Sequence, residues 1–252
     1  MNNQENAPTN NLRCPRCQLS HIKRNGYTYY GKQNHQCLKC GRQFVKRQAK
    51  VDAEKRKLLC RLLLERLSLR GVCRVLDLSL SWLVRFITEL YGQVPLDLNF
   101  QMPDEAEFEI LCLEADELWS FVGEKKNKRW IWLIIERTTY QAVAVHIGDR
   151  SERSAVALWQ KVPLEVRKQA FVLTDKWEAY AAAIAANQHL GCAKKSGQTS
   201  LIEAFNCVLR QRISRLVRKT LSFSKNETNH QGAIRYFLSN RNLERQKLCS
   251  SP

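Results

Sequence analysis

Four cysteines constrain this chain more than any other residues. Cys14 and Cys17 stand in "CPRC" and Cys37 and Cys40 in "CLKC", a C-x2-C-x19-C-x2-C arrangement within a short polar segment. Each C-x2-C turn can present two thiolates to one tetrahedral zinc ion, and so short a segment holds too little apolar surface to fold without a staple. Gly26 and Gly31 flank short aromatic stretches between the pairs, which predicts hairpins and a zinc ribbon over residues 12–50, after a disordered tail at 1–11. The competing reading, a pair of disulfides, is disfavoured in a reducing compartment. His21 and His35 are expected at the surface or against phosphate. Cys60, Cys73, Cys112, Cys192, Cys207 and Cys249 lack paired spacing, and most are expected to be small apolar packing residues.

The compartment expected is the cytoplasm, with no membrane partner. The N-terminal stretch "MNNQENAPTNN" is polar, and the longest apolar run, "WIWLII" (Trp130 to Ile135), is too short to span a bilayer. A hydrophobic fraction of 44% makes the chain globular, and 252 residues leave room for one sizeable core with one or two small modules. The net charge of +17 is unevenly spread: residues 1–95 carry 18 basic and 6 acidic side chains, residues 96–189 carry 11 and 15, and residues 190–252 carry 12 and 3. Basic ends around an acidic middle point to a polyanionic partner, most simply nucleic acid.

From Val51 the apolar residues fall at helical spacing (Leu58, Leu59, Leu62, Leu63, then Val72, Val75, Leu76), with breaks at Leu67–Ser68 and Asp77–Ser79. Three short helices are predicted over 51–92. In the last two, Cys73 takes the small-residue position of a helix-turn-helix, Leu78 and Leu83 the core positions, and Ser79 the cap of the second helix. Asp77 stands at the turn, where glycine is commoner, and aspartate tolerates a left-handed backbone better than most residues. Ser81, Trp82 and Arg85 would then face a DNA major groove. A plain helical bundle used for dimerisation is the other reading. Residues 93–108, with Pro95 and Pro103, read as a linker.

Beyond the linker the period becomes that of strands. The order predicted is a strand from about Glu109 to Asp116, strands at "RWIWLIIER" and "AVAVHIG", a helix at "SERSAVALWQKV", a strand at "AFVLTD", a helix at "KWEAYAAAIAAN" and a long helix from about Ser200 to Val217. Asp116 is expected to end the first strand and Asp175 the fourth, with Glu203 in the first turn of the late helix. In a ribonuclease-H-like fold the first and fourth strands are neighbours, so the three carboxylates could share a pair of Mg²⁺ ions that clamp both oxygens of a phosphoryl displacement. Glu114 and Glu117 are read as supporting or surface residues. Three unrelated strand-end and helix-cap acids remain the alternative.

"DELWSFVGEKKNKRWIWLIIERTT", "TDKWEAY" and "IEAFNCVLRQRISRLVRKTLSFSK", with the preceding cysteine segment, resemble transposases of the insertion-sequence-one family from about Leu12 to about Asn242. The resemblance implies a zinc ribbon and helix-turn-helix that recognise terminal inverted repeats, and a catalytic domain over 109–245, before a tail at 246–252, that cuts and joins DNA. It implies Asp116, Asp175 and Glu203 as a DDE triad using Mg²⁺ or Mn²⁺, and Arg210, seven residues beyond Glu203, as a DNA contact. Ala204 and Lys176 depart from the family pattern. The expected whole is an α+β multidomain protein: a small zinc ribbon, a helical helix-turn-helix domain and a ribonuclease-H-like α/β catalytic domain. It is expected to be a bacterial, nucleoid-associated DNA transposase with double-stranded DNA at element ends and target as its partner, working as a homodimer or larger assembly. A sequence-specific repressor with an inert catalytic domain and a structure-specific nuclease are the alternatives.

Overall fold

The computed structural model describes residues 12–29, 31–45, 51–103, 110–193, 196–217 and 221–249. The tail expected at 1–11 and the predicted strand start at Glu109 lie outside them. The chain divides into two compact units, Met1–Arg56 and Lys57–Pro252.

In the first unit β1 (Ile22–Tyr27), β2 (Gln33–Cys37) and β3 (Gln43–Val45) form an antiparallel sheet in that order. Each cysteine pair sits on a tight turn closed by a backbone bond to its first cysteine, Gln18 N to Cys14 O and Gly41 N to Cys37 O, both 2.9 Å. Both closing residues are left-handed, at φ 59° and 71°. Glycine reaches that region without a Cβ penalty, and Gln18 bears the cost for the first turn. His35 is 6% exposed and stacked on Phe44, not at the surface as expected. It alternates with buried Cys37 along β2, and a strand sends such residues to one face.

Three helices follow: α1 (Ala53–Leu62), α2 (Leu69–Leu76) and α3 (Leu80–Gly92). Ser68 and Ser79 cap the last two, their side chains accepting from Gly71 N and Trp82 N. Between them Asp77 is left-handed at φ 48°, and Leu78 and Leu83 are buried. Within the segment expected as a linker, residues 98–100 pack against the rest of the second unit while Leu96 is 89% exposed, and residues 104–108 lie outside the described residues. Leu98 is 1% exposed, Asn99 Nδ2 donates to Ser239 Oγ at 2.6 Å, and Asn242 Nδ2 donates to Leu98 O at 3.0 Å.

A five-stranded mixed sheet runs β6–β5–β4–β7–β8, built from β4 (Leu111–Phe121), β5 (Lys128–Glu136), β6 (Ala142–Gly148), β7 (Ala170–Asp175) and β8 (His189–Cys192). β4, β5 and β6 pair antiparallel, and β7 lies parallel between β4 and β8. Helices α4 (Glu152–Gln160), α5 (Leu164–Gln169) and α6 (Glu178–Ala183) share a core with one face, through Ala155, Leu158, Val166 and Tyr180. Helices α7 (Ser200–Arg212) and α8 (Glu227–Cys249) share a second core with the other face, through Phe205, Leu209, Ile234 and Phe237. Ile131 to Ile135 are at most 1% exposed because alternate residues enter the two cores. A strand covered on both sides needs this unbroken apolar run.

Three features differ from the predicted order. α5, β8 and the 23-residue α8 were not expected, α8 continuing through residues read as a tail. α7 stops at Arg212, where Ile213 turns extended before a short 3-10 turn. β4 continues past Asp116 to Phe121, because β5 keeps pairing with it after β7 has ended, so Asp116 lies within the strand.

Candidate functional site

The pairing of β4 with β7 decides what meets Asp116. Leu111 to Glu114 pair with Ala170 to Leu173, and continuing that register by two residues sets Asp116 beside Asp175. β7 ends there, so side chains from either face of β4 can reach its tip. Carboxylate oxygens of Asp116, Glu117 and Asp175 all lie within 4.8 Å of one another. Glu117, expected to be a supporting or surface residue, has a side chain only 2% exposed. Strand alternation gave no reason to group it with Asp116; the end of β7 supplies that reason.

Each acid is held from a different side. Asp116 Oδ2 accepts from Asn206 Nδ2 of α7 at 2.7 Å, and Asp175 Oδ1 accepts from Trp177 N at 3.1 Å. Glu117 accepts from Arg150 at 2.6 Å and from Tyr180 Oη at 3.1 Å. Arg150 is sandwiched between Trp130 and Trp177, 4.7 and 4.3 Å from the ring centres, an arrangement that favours a guanidinium. Burial, with the charges of Glu117 and Asp175 adding to it, pushes Asp116 up to about 6. Burial also raises Glu117, against the pull of Arg150. Neither Arg150 nor Tyr180 nor Asn206 was singled out from the sequence. The spacing of "TDKWEAY", which puts Tyr180 one helical turn beyond the strand tip, was the available signal for one of them.

The donor set suits a hard divalent cation. It offers clustered oxygens whose mutual repulsion a cation would relieve, and Asn206 Oδ1 is buried beside Asp116 with no hydrogen-bond partner among the described residues. Glu203 stands exposed in the first turn of α7, outside the 4.8 Å cluster, three residues before Asn206 and so along the same helical face. Arg210, further along that face, donates to Trp119 O and Leu216 O, both at 3.4 Å.

In the first unit the sulfurs of Cys14, Cys17, Cys37 and Cys40 also lie within 4.8 Å of one another. The 3.5 Å Cys14–Cys40 and Cys17–Cys37 separations are far beyond a disulfide bond. Burial opposes ionisation of Cys14, but N–H groups of Cys17 and Arg16 aimed at its sulfur bring it down to about 6, and the Cys40 N–H lowers Cys37 likewise. The Leu19 N–H lowers Cys17, but burial and the neighbouring sulfurs outweigh it and push that thiol up to about 11. Four sulfurs gathered this closely suit zinc, whose charge favours the thiolate form. Of the other cysteines Cys192 is buried, while Cys207 and Cys249 are exposed, contrary to a packing role. On α3, Ser81 and Arg85 are exposed and Trp82 is half-buried, stacked on Phe86 at 5.2 Å. Among the described residues no helix is long and apolar enough to cross a membrane.

Residues 109–244 match the family model described as IS1 transposase. The chain is 34% identical over 131 residues to the insertion element IS1 4 protein InsB of Escherichia coli (strain K12), covering 52% of this chain and 75% of that protein. It is 33% identical over 130 residues to the insertion element IS1 protein InsB of Shigella flexneri, covering 52% and 95%. To the iso-IS1n protein InsB of Shigella dysenteriae it is 32% identical over 131 residues, covering 51% and 94%. The matched segment holds the whole five-stranded sheet and all three clustered acids, and the chain belongs to the IS1 transposase family.

Proposed function

We propose that this chain is a DDE transposase that binds duplex DNA at its element's terminal inverted repeats, cuts it and joins it to target DNA, using Mg²⁺ or Mn²⁺. The observation that carries the reading is the gathering of Asp116, Glu117 and Asp175 within 4.8 Å in the family-matched segment. The sheet is then a ribonuclease-H-like core, a reading supported by β4 and β7, its first and fourth strands in the chain, lying side by side.

Asp116 and Asp175 provide the central oxygen ligands, and Glu203 completes the triad from α7. A divalent cation bound there would supply Lewis acidity for in-line displacement at phosphorus. Asn206 orients Asp116, while Arg150 and Tyr180 keep Glu117 turned into the cluster. Recognition falls to a zinc ribbon in 12–50 and a helix-turn-helix in 51–92, with Ser81, Trp82 and Arg85 of α3 reading the major groove and Arg210 contacting DNA at the 109–245 catalytic segment. The basic ends of the chain supply the electrostatic attraction. Two element ends must be held together, which calls for a dimer or larger assembly.

The test is strand transfer of a labelled element end into plasmid DNA with Mg²⁺ or Mn²⁺, beside a gel shift of the same end. Asp116→Asn, Asp175→Asn and Glu203→Gln should each abolish joining and leave end binding nearly intact, and the losses should not add when combined. Wild-type protein that binds ends and never joins them would point to a repressor instead.

A further inference from the structure

The fully buried Glu114 belongs to none of the groups above. It shares the α7-facing side of β4 with Asp116, two residues away, and has 0% exposure. Its Oε2 accepts from Ile202 N at 2.9 Å, and the Leu201 N–H also bears on it. These are first-turn N–H groups of α7, which have no partner within their own helix. The residue that should cap that turn, Thr199, makes no side-chain cap bond. A strand residue, 88 positions earlier, caps this helix instead. On its other side Arg137 Nε stands 3.3 Å from Glu114 Oε1, and Arg137 Nη1 reaches Gln198 O at 3.5 Å, just before the helix begins.

Burying a carboxylate is costly unless charge and hydrogen bonds compensate it, and here both compensating groups lie at or beside the entry to α7. Two further contacts pin α7 along β4: Asn206 on Asp116 and Arg210 on Trp119 O. The Glu114 contact ties the first turn to β4 beside the packing of Ile202 in the second core, and Glu203 follows Ile202 directly.

We infer that Glu114 is a positioning residue that locks the first turn of α7 to β4 and thereby sets the reach of Glu203 toward the Asp116–Asp175 pair. The inference rests on the proposed cation site, and the measurement separates the two. Mn²⁺ binding to the full-length protein is read by electron paramagnetic resonance of the free ion, with Asp116→Asn defining the signal from this site. Glu114→Asp keeps a charge for Arg137 but withdraws its oxygen from Ile202 N, and should raise the Mn²⁺ dissociation constant fivefold or more. Glu114→Gln keeps an acceptor in place and should stay within twofold of wild type. In a Glu203→Gln background the Glu114→Asp effect should vanish, a result that general destabilisation would not produce. Far-UV circular dichroism melts confirm that each variant is folded at the temperature of the measurement. A Glu114→Asp change below twofold, or one that persists undiminished in Glu203→Gln, overturns the inference alone. Wild-type protein with no Asp116-dependent Mn²⁺ binding overturns the cation site with it.

Discussion

Asp116 carries the clearest cost at the scale of single residues. Its acidity is shifted from the ordinary 3.8 to about 6 by burial and by the neighbouring charges of Glu117 and Asp175. A carboxyl whose pKa is raised on folding holds its proton more tightly in the folded state, so this group's contribution to stability is greatest at low pH. It declines as pH rises through the window from about 4 to about 6. The shift corresponds to roughly 2–3 kcal/mol at neutral pH, an upper figure for a group still partly reached by solvent. A cation bound there would relieve the repulsion, so Mn²⁺ should raise the melting temperature more at pH 7.5 than at pH 5. Asp116→Asn should melt higher than wild type in chelator at pH 7.5 and lose most of the Mn²⁺ increment. Thermal melts at the two pH values, with and without Mn²⁺, check both statements, and an increment equal at both pH values would refute them. A site that destabilises its own fold is a common cost of function.

Among the elements, the helices of 51–92 were legible from sequence because each break carries its own chemistry. Ser68 and Ser79 cap, and Asp77 takes the left-handed bend. Ser79→Ala should cost about 1 kcal/mol of stability by freeing the Trp82 N–H. At Asp77, valine should destabilise by a similar amount or more and glycine should be neutral or stabilising, since a β-branched residue fits φ 48° badly. Urea unfolding midpoints measure all three variants, and a valine variant as stable as the glycine one would contradict the account of the bend. α8 was not legible, and its buried face shows why: Gly232, Ser239 and Asn242 line it beside Ile234 and Phe237, so the apolar period is interrupted by polar residues. Asn242 uses its amide to bond Ala142 N, Ala142 O and Leu98 O, contacts that no local pattern announces. Likewise β8 spans four residues, one of them Gly191, too few to show alternation. Asp116 and Asp175 were legible as neighbours only through an assumed ribonuclease-H-like strand order and the family resemblance, and Glu117 was not legible, because its place depends on where β7 stops.

Across the second unit, α8 ties the helical segment to the sheet. Tyr91 of α3 lies against Tyr236, and a Cβ at Gly232 would come within 2.6 Å of the Tyr91 ring. Tyr236 Oη donates to Cys60 O at 3.3 Å, and Arg212 pairs with Glu65 at 2.8 Å. Gly232→Ala should therefore cost about 1–3 kcal/mol through overpacking, and the double variant Gly232→Ala with Tyr91→Ala should lose less than the sum of the two single losses. Denaturant unfolding of the single and double variants decides it, and an additive pair would show that the two residues do not meet. In the proposed reading β4, the tip of β7 and the start of α7 form one divalent-cation centre. Its most direct test replaces the cation with Fe²⁺ and maps, by mass spectrometry, where ascorbate and peroxide cut the polypeptide. Cuts are expected around Asp116 and Glu117, around Asp175 and around Glu203, suppressed by excess Mg²⁺ and lost in Asp116→Asn. Cuts confined to other segments, or cuts at these three that survive in Asp116→Asn, would contradict it.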